Sequence, residues 1–133
     1  MEIRVSVAKV DKVGDSLSGD TVEVTERPNG GISVVMADGW RDGVHNKAIS
    51  TMVSHRVIGH ISEGVRDGAA IRAASSRIFA ENNGQVQAYL NVLTADLLTN
   101  TILISRNNPH PVFIISDGQI DCLTAECEPI GLR

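Results

Sequence analysis

Apolar and polar positions alternate with a period of two at both ends of the chain and recur every three or four residues in its middle. Ile3, Val5 and Val7 share one side of a segment whose other side carries Arg4, Ser6 and Ala8, which predicts a strand over residues 3–9. "TVEVTER" (21–27), with Val22 and Val24, predicts a second strand, and "PNGG" (28–31) a hairpin turn. "GISVVMA" (31–37) reads as a more fully buried strand that runs into Ala-Asp-Gly. At Val44 the period changes: Val44, Ala48, Met52, His55 and Ile58 predict an amphipathic helix of about four turns. The glycines of "SEGVRDG" (62–68) end it. "AAIRAASSRIFAENNG" (69–84) predicts a second helix with Ile71, Ala74, Ile78 and Phe79 facing inward and a stop at Asn82–Gly84. Strands then return. Val86, Ala88, Leu90 and Val92 alternate, "TILISR" (101–106) pairs back after a turn, and Asp117-Gly118 joins "HPVFIIS" (110–116) to "QIDCLT" (119–124). Strands, two helices, then strands is the order of an α+β fold with antiparallel sheets, not of a parallel βαβ sheet.

Composition narrows the function classes. A chain of 133 residues suffices for one domain that buries roughly two-thirds of its unfolded surface. Hydrophobic residues make up 42% and charged residues 21%, without the signature of disorder. The net charge of −4 gives no general electrostatic case for binding nucleic acid or an anionic membrane, so a phosphorylated substrate must be attracted locally. Trp40, Tyr89, Phe79 and Phe113 are the only aromatic residues, too few for a base-stacking platform. The opening "MEIRVSVAKVDKVGDS" alternates instead of running apolar, and no stretch reaches the ~20 apolar residues of a membrane span. Cys122 and Cys127 lack a second ligand pair for zinc and read as reduced thiols, so the expected compartment is the cytoplasm.

Two acidic positions stand out. Asp20, in "SGDTVEV", enters the second predicted strand, and Asp38, in "MADG", leaves the third. An antiparallel hairpin between those strands brings both to one end of the sheet. Two carboxylates held together repel unless a cation or proton lies between them, and hard oxygen ligands suit Mg²⁺ or Mn²⁺. Taken alone, the competing reading of two turn-forming aspartates is the preferred one, because Asp-Gly punctuates turns. The four histidines make no metal site by spacing: His55 and His60 fall on different helix faces, His45 sits at the helix start, and His110 lies between prolines. No phosphate-loop pattern follows "SEGVRDG".

Three motifs in order carry a resemblance. "SGDTVEV" (18–24), "GGISVVMADGWRDG" (30–43) and "NNPHPVFIISDGQIDCLTAECEPIGL" (107–132) resemble the Gly-Asp, Ala-Asp-Gly and Gly-His-Pro-Pro to Pro-x-Gly segments of the bacterial metal-dependent PPM (PP2C-like) serine/threonine phosphatases, in the SpoIIE/RsbU/RsbX branch. The short N-terminus without a sensor domain is most similar to the small feedback phosphatases of the stressosome. The resemblance implies an α-β-β-α sandwich and a binuclear Mn²⁺ or Mg²⁺ centre. Asp38 would bridge the ions, the Gly39 carbonyl would be a further ligand, and Asp20 would complete this side. Such a centre activates water for attack on phosphorus without a phosphoenzyme. It further implies phosphoserine or phosphothreonine on STAS-domain stressosome proteins as substrate. Trp40 and Arg41 stand where the family carries small residues and are expected to shape the substrate mouth and contact phosphate. The family's remaining metal-binding aspartates lie beyond Pro-x-Gly-Leu, about 60 residues more for a complete domain. Residues 1–133 therefore read as a single phosphatase-like domain lacking its C-terminal part, whose unpaired sheet edges invite a homodimer. A non-catalytic phosphatase-like binding module is the alternative.

Overall fold

The computed structural model describes residues 2–11, 13–14 and 18–133. Among the described residues, seven strands and two helices follow one another as β1 (Asp20–Glu26), β2 (Gly31–Arg41), β3 (Val44–His45), α1 (Lys47–Ser62), α2 (Asp67–Asn82), β4 (Val86–Asp96), β5 (Thr101–Asn107), β6 (Val112–Ser116) and β7 (Gln119–Leu123). Four of these form an antiparallel sheet in the order β1-β2-β4-β5, with β3 paired to the end of β2, and β6-β7 is a separate hairpin.

Each turn follows from its residues. The β1–β2 hairpin closes with Arg27 N donating to the Gly31 carbonyl and Gly30 N to the Arg27 carbonyl, and Gly30 and Gly31 hold φ of 87° and 118°, a region that L side chains avoid. Asp117 and Gly118, both at positive φ, make the two-residue turn between β6 and β7. At the β4–β5 turn the Asp96 carboxylate accepts from the backbone of Leu98 and Thr99.

Both helices cover one face of the sheet. Odd positions of β2 (Ser33, Val35, Ala37) and even positions of β4 (Val86, Ala88, Leu90, Val92) are buried against Val53, Val57, Ile61, Ala74 and Ile78. Ile130 ties the C-terminal segment to this layer by a two-bond bridge with Ala88.

Three expectations are corrected. Residues 3–9 form no strand: alternation records a preference for a pleated, half-buried surface, and these residues find no ladder partner. The segment instead runs from the hairpin end, where Ile3 lines a cavity with Ile32, to the Asp20 end, where Val10 lines a cleft with Met36. Helix α1 starts at Lys47, not Val44, because the Asn46 side chain accepts from Ile49 N as an N-cap. Its deepest stripe is Ile49, Val53, Val57 and Ile61, while Met52 and Ile58 only flank the core and Val44, Ala48 and His55 are exposed. In α2, Ile71, Ala74 and Ile78 are buried as expected, but Phe79 is exposed, and Asn83 at φ 50° ends the helix. No helix among the described residues is long and apolar enough to cross a membrane.

Candidate functional site

The β1–β2 register pairs Asp20 with Asp38. Directly opposite residues of an antiparallel pair project from the same face, here the face turned away from the helices. The expected meeting of the two carboxylates at one sheet end is thus met by the backbone. Gly19 lies against them: a Cβ there would stand 3.6 Å from Asp38 Oδ1 and 3.3 Å from the His45 Cβ. The pair lines a cleft of about 850 Å³ with Ser18, His45, Lys47, Asn108 and His110.

His45 is the site residue that spacing failed to reveal. Its Nδ1 lies 2.9 Å from Asp38 Oδ1. Read as the first residue of a helix, it had no reason to approach Asp38. As half of the short strand β3 it pairs with Trp40, one residue beyond Gly39, and so folds back over the carboxylate. The Asp42-Gly43 pair, at φ of 49° and 79°, supplies the tight return, and this was the signal available in the sequence.

Lysines converge on the same sheet end. Lys9 Nζ donates to the Asp20 carbonyl at 2.7 Å, and Lys47 Nζ donates to that same oxygen and, at 2.8 Å, to Thr21 Oγ1. Thr21 is buried and bonded in turn to Ser50 at 2.8 Å, so the first turn of α1 is locked to β1 through hydroxyls. Burial, followed by the neighbouring Lys9 ammonium, pushes the Lys47 pKa below its ordinary value against the weaker opposing pull of Asp20 and Glu23.

The remaining expected residues separate. Trp40 stacks edge-on against Tyr89 at 4.6 Å and stands 6.5 Å from the His45 ring, forming an aromatic wall beside Asp38, whose other cross-strand partner is Tyr89. Arg41, one position on, turns away and donates to Asn82 Oδ1 at 3.1 Å. The backbone carbonyl of Gly39 accepts from Asn46 N at 2.8 Å. Gly39 also has a packing reason to lack a side chain, since a Cβ would meet Ser50 N at 2.6 Å and Ile49 Cγ2 at 2.7 Å. The Asn108–His110 loop reaches the cleft because Arg106 donates to the carbonyls of both residues, at 3.2 and 3.0 Å.

The donor set suits a hard divalent ion held by one or two carboxylates with water in its other positions, the habit of Mg²⁺. Asp20 makes no side-chain hydrogen bond among the described residues, and Asp38 keeps Oδ2 unengaged. No cluster of three or more His, Cys, Asp or Glu side chains that could hold a metal occurs among the described residues. Cys122 and Cys127 are free thiols.

No family model matches the sequence, and no curated protein aligns with it. Solved structures do match. The PP2C phosphatase domain, with a fragment of the regulatory domain, of the cell-fate determinant SpoIIE from Bacillus subtilis superposes with a TM-score of 0.77 at 21% identity, over 93% of this chain and 37% of that one. A stage II sporulation E family protein from Thermanaerovibrio acidaminovorans gives 0.64 at 16% identity, over 77% of this chain and 52% of that one. The serine/threonine phosphatase of S. agalactiae gives 0.64 at 14% identity, over 83% and 50%. The chain thus spans between about a third and a half of the solved chains it matches. Its antiparallel sheet with both helices on one face, and the strand order that sets Asp20 against Asp38, constitute the α+β fold of PP2C-type phosphatases.

Proposed function

We propose that this chain is a metal-dependent phosphatase of phosphoserine and phosphothreonine, acting in the cytoplasm on phosphorylated STAS-domain proteins as a stressosome feedback phosphatase. The cross-strand pairing of Asp20 with Asp38 beside a cleft, in a PP2C-type fold, is the observation that carries the reading. Asp20 and Asp38 would hold Mn²⁺ or Mg²⁺, with the Gly39 carbonyl, which also accepts from Asn46 N, as a further ligand, and a binuclear centre would draw its further ligands from outside this set. Such ions supply an acidified water and neutralise phosphoryl oxygens.

The chain's own residues do the rest. His45 fixes the Asp38 carboxylate in one orientation through Nδ1. Trp40 and Tyr89, packed edge-on beside Asp38, would offer an apolar surface to the residue flanking the phosphorylated one. Arg41, bonded to Asn82, leaves phosphate contact to other cations. The outer edges of β1 and β5 have no strand partner among the described residues, which supports edge-to-edge homodimers as part of the same proposal.

Release of phosphate from a phosphoserine peptide with and without Mn²⁺ is the test. Turnover is expected only with the ion, and Asp38→Asn is expected to remove nearly all of it; full activity in that variant would falsify the metal-bridging role. The absence of a third carboxylate at the pair among the described residues favours a second reading, a non-catalytic binder. That reading requires stable capture of the phosphopeptide without turnover even when Mn²⁺ is present.

A further inference from the structure

Lys9 and Lys47 come from segments far apart in the sequence, yet their ammonium groups end on one oxygen, the Asp20 carbonyl. One carbonyl dipole cannot balance two cations. Neither lysine makes an ion pair among the described residues, where the pairs present are those of arginines and histidines. The repulsion between them is expressed at Lys47, where burial and Lys9 outweigh the attraction of Asp20 and Glu23. Position is not accidental either. Lys47 is the first residue of α1, fixed by Thr21 Oγ1, which the buried Ser50 hydroxyl and the half-buried Thr51 hydroxyl hold from behind. The first turn of α1 carries no acidic residue, so the positive end of the helix dipole adds to the two ammonium groups. Lys47 opens into the cleft that Asp38 and His110 line.

We infer that Lys9 and Lys47 form an anchoring site for a phosphoryl dianion, separate from the carboxylate pair and built to work without a metal ion. Two ammonium groups on one carbonyl oxygen, with Lys47 at the cleft, match a tetrahedral dianion with several acceptor oxygens, and they repel a divalent cation. The lysines sit on the backbone side of Asp20 while its carboxylate belongs to the pair with Asp38, so anion and cation sites share one residue without sharing its atoms. The N-terminal segment 2–11, which joins no sheet, thereby gains a function: it delivers Lys9. The choice of a phosphoryl group over another dianion rests on the phosphatase reading, whereas the presence of an anion site does not.

The test is done in EDTA. Amide chemical shifts are followed as inorganic phosphate, a phosphoserine peptide or the same peptide unphosphorylated is added to the protein. Phosphate and phosphopeptide are expected to shift the amides around Lys47 and Thr21, and the unphosphorylated peptide to leave them in place. Tighter binding of the peptide than of inorganic phosphate identifies the substrate as the source of the dianion, and equal binding identifies the product. Lys9→Gln and Lys47→Gln are each expected to weaken binding about tenfold or more, with Lys47→Arg restoring it. Circular dichroism of every variant separates lost binding from lost folding. Wild-type affinity in either glutamine variant, or equal response to the unphosphorylated peptide, overturns the inference. Phosphate binding that persists in EDTA while Mn²⁺-dependent turnover is absent overturns the phosphatase reading alone.

Discussion

Asp20 and Asp38 are direct cross-strand partners, two carboxylates on the same face of one hairpin. Like charges so placed oppose pairing by roughly 0.2–1 kcal/mol, and the only side-chain partner either carboxylate has among the described residues is His45, at Asp38. In a metal-free protein the pair is therefore a small cost retained for what it binds. Asp20→Asn should raise stability in EDTA by up to about 1 kcal/mol while cancelling any stabilisation that Mn²⁺ gives the wild type. Urea unfolding with and without Mn²⁺ checks both. A variant less stable than wild type in EDTA would show that Asp20 holds the hairpin instead of straining it.

Gly39 is fixed by the helix above it. A methyl group would come within 2.6 Å of the Ser50 amide and 2.7 Å of Ile49, at the start of α1 where backbone cannot yield cheaply. Gly39→Ala should destabilise by about 1–3 kcal/mol, the range for overpacking. It should also displace Lys47 and Asn46 relative to β2, visible as shifts of their amides in the folded fraction. A neutral substitution would mean that α1 slides freely on the sheet.

Much of this was legible in the sequence. The hairpin that pairs Asp20 with Asp38 could be read from alternation on either side of Pro28–Gly31, because a strand period plus a turn fixes which ends meet. The positions of Ile71, Ala74 and Ile78 followed from helical spacing for the same reason. Helix α1 was misread because it carries two apolar stripes, and periodicity alone cannot say which one faces a sheet. Ser50 and Ser54 are buried there on hydroxyl bonds to Thr21 and Glu23, an arrangement that a hydropathy pattern reads as surface. His45 escapes sequence reasoning through the same error of three residues at the helix start. Residues 3–9 looked like a strand because alternation describes one chain, while a ladder needs two.

Acid sensitivity should include a contribution from the outer surface of the helices. Glu81 is held by Arg77 and then by Arg56, from the neighbouring helix, and these contacts keep its carboxyl below the ordinary value of 4.5. A lowered folded pKa means that the unfolded chain takes up the proton first on acidification. The contribution is thus complete above the ordinary carboxylate range and disappears as pH falls through the lowered value. Glu81→Gln should flatten that limb of the stability–pH curve by losing stability at neutral pH, only slightly because water screens the exposed pair, while matching wild type below the carboxylate range. An equal loss at neutral and acid pH would point to a packing role for Glu81.

At the sheet end opposite the cleft, Asp67 is 1% exposed, and its carboxylate is bonded to Arg27 Nη1 at 2.8 Å and to Thr94 Oγ1 at 2.5 Å. Arg27 also reaches Ser33 at 3.0 Å, and Ser33 and Thr94 share a 2.6 Å bond across β2 and β4. This network joins the β1–β2 hairpin to the first residue of α2, so it sets where the second helix sits on the sheet. Removing Arg27 leaves a buried carboxylate without its cation, which costs about 3–5 kcal/mol, whereas replacing both partners by apolar groups is close to neutral. Arg27→Met should therefore be severely destabilised, and Arg27→Met combined with Asp67→Leu should recover much of the loss. Denaturant unfolding of the two single variants and the double variant measures the coupling directly. Because the network is an entire strand length from Asp38, phosphate and Mn²⁺ binding by the folded fraction should match wild type in all three. Additive losses in the double variant would instead mean that Arg27 and Asp67 act on stability separately, through their other partners in β2 and β4.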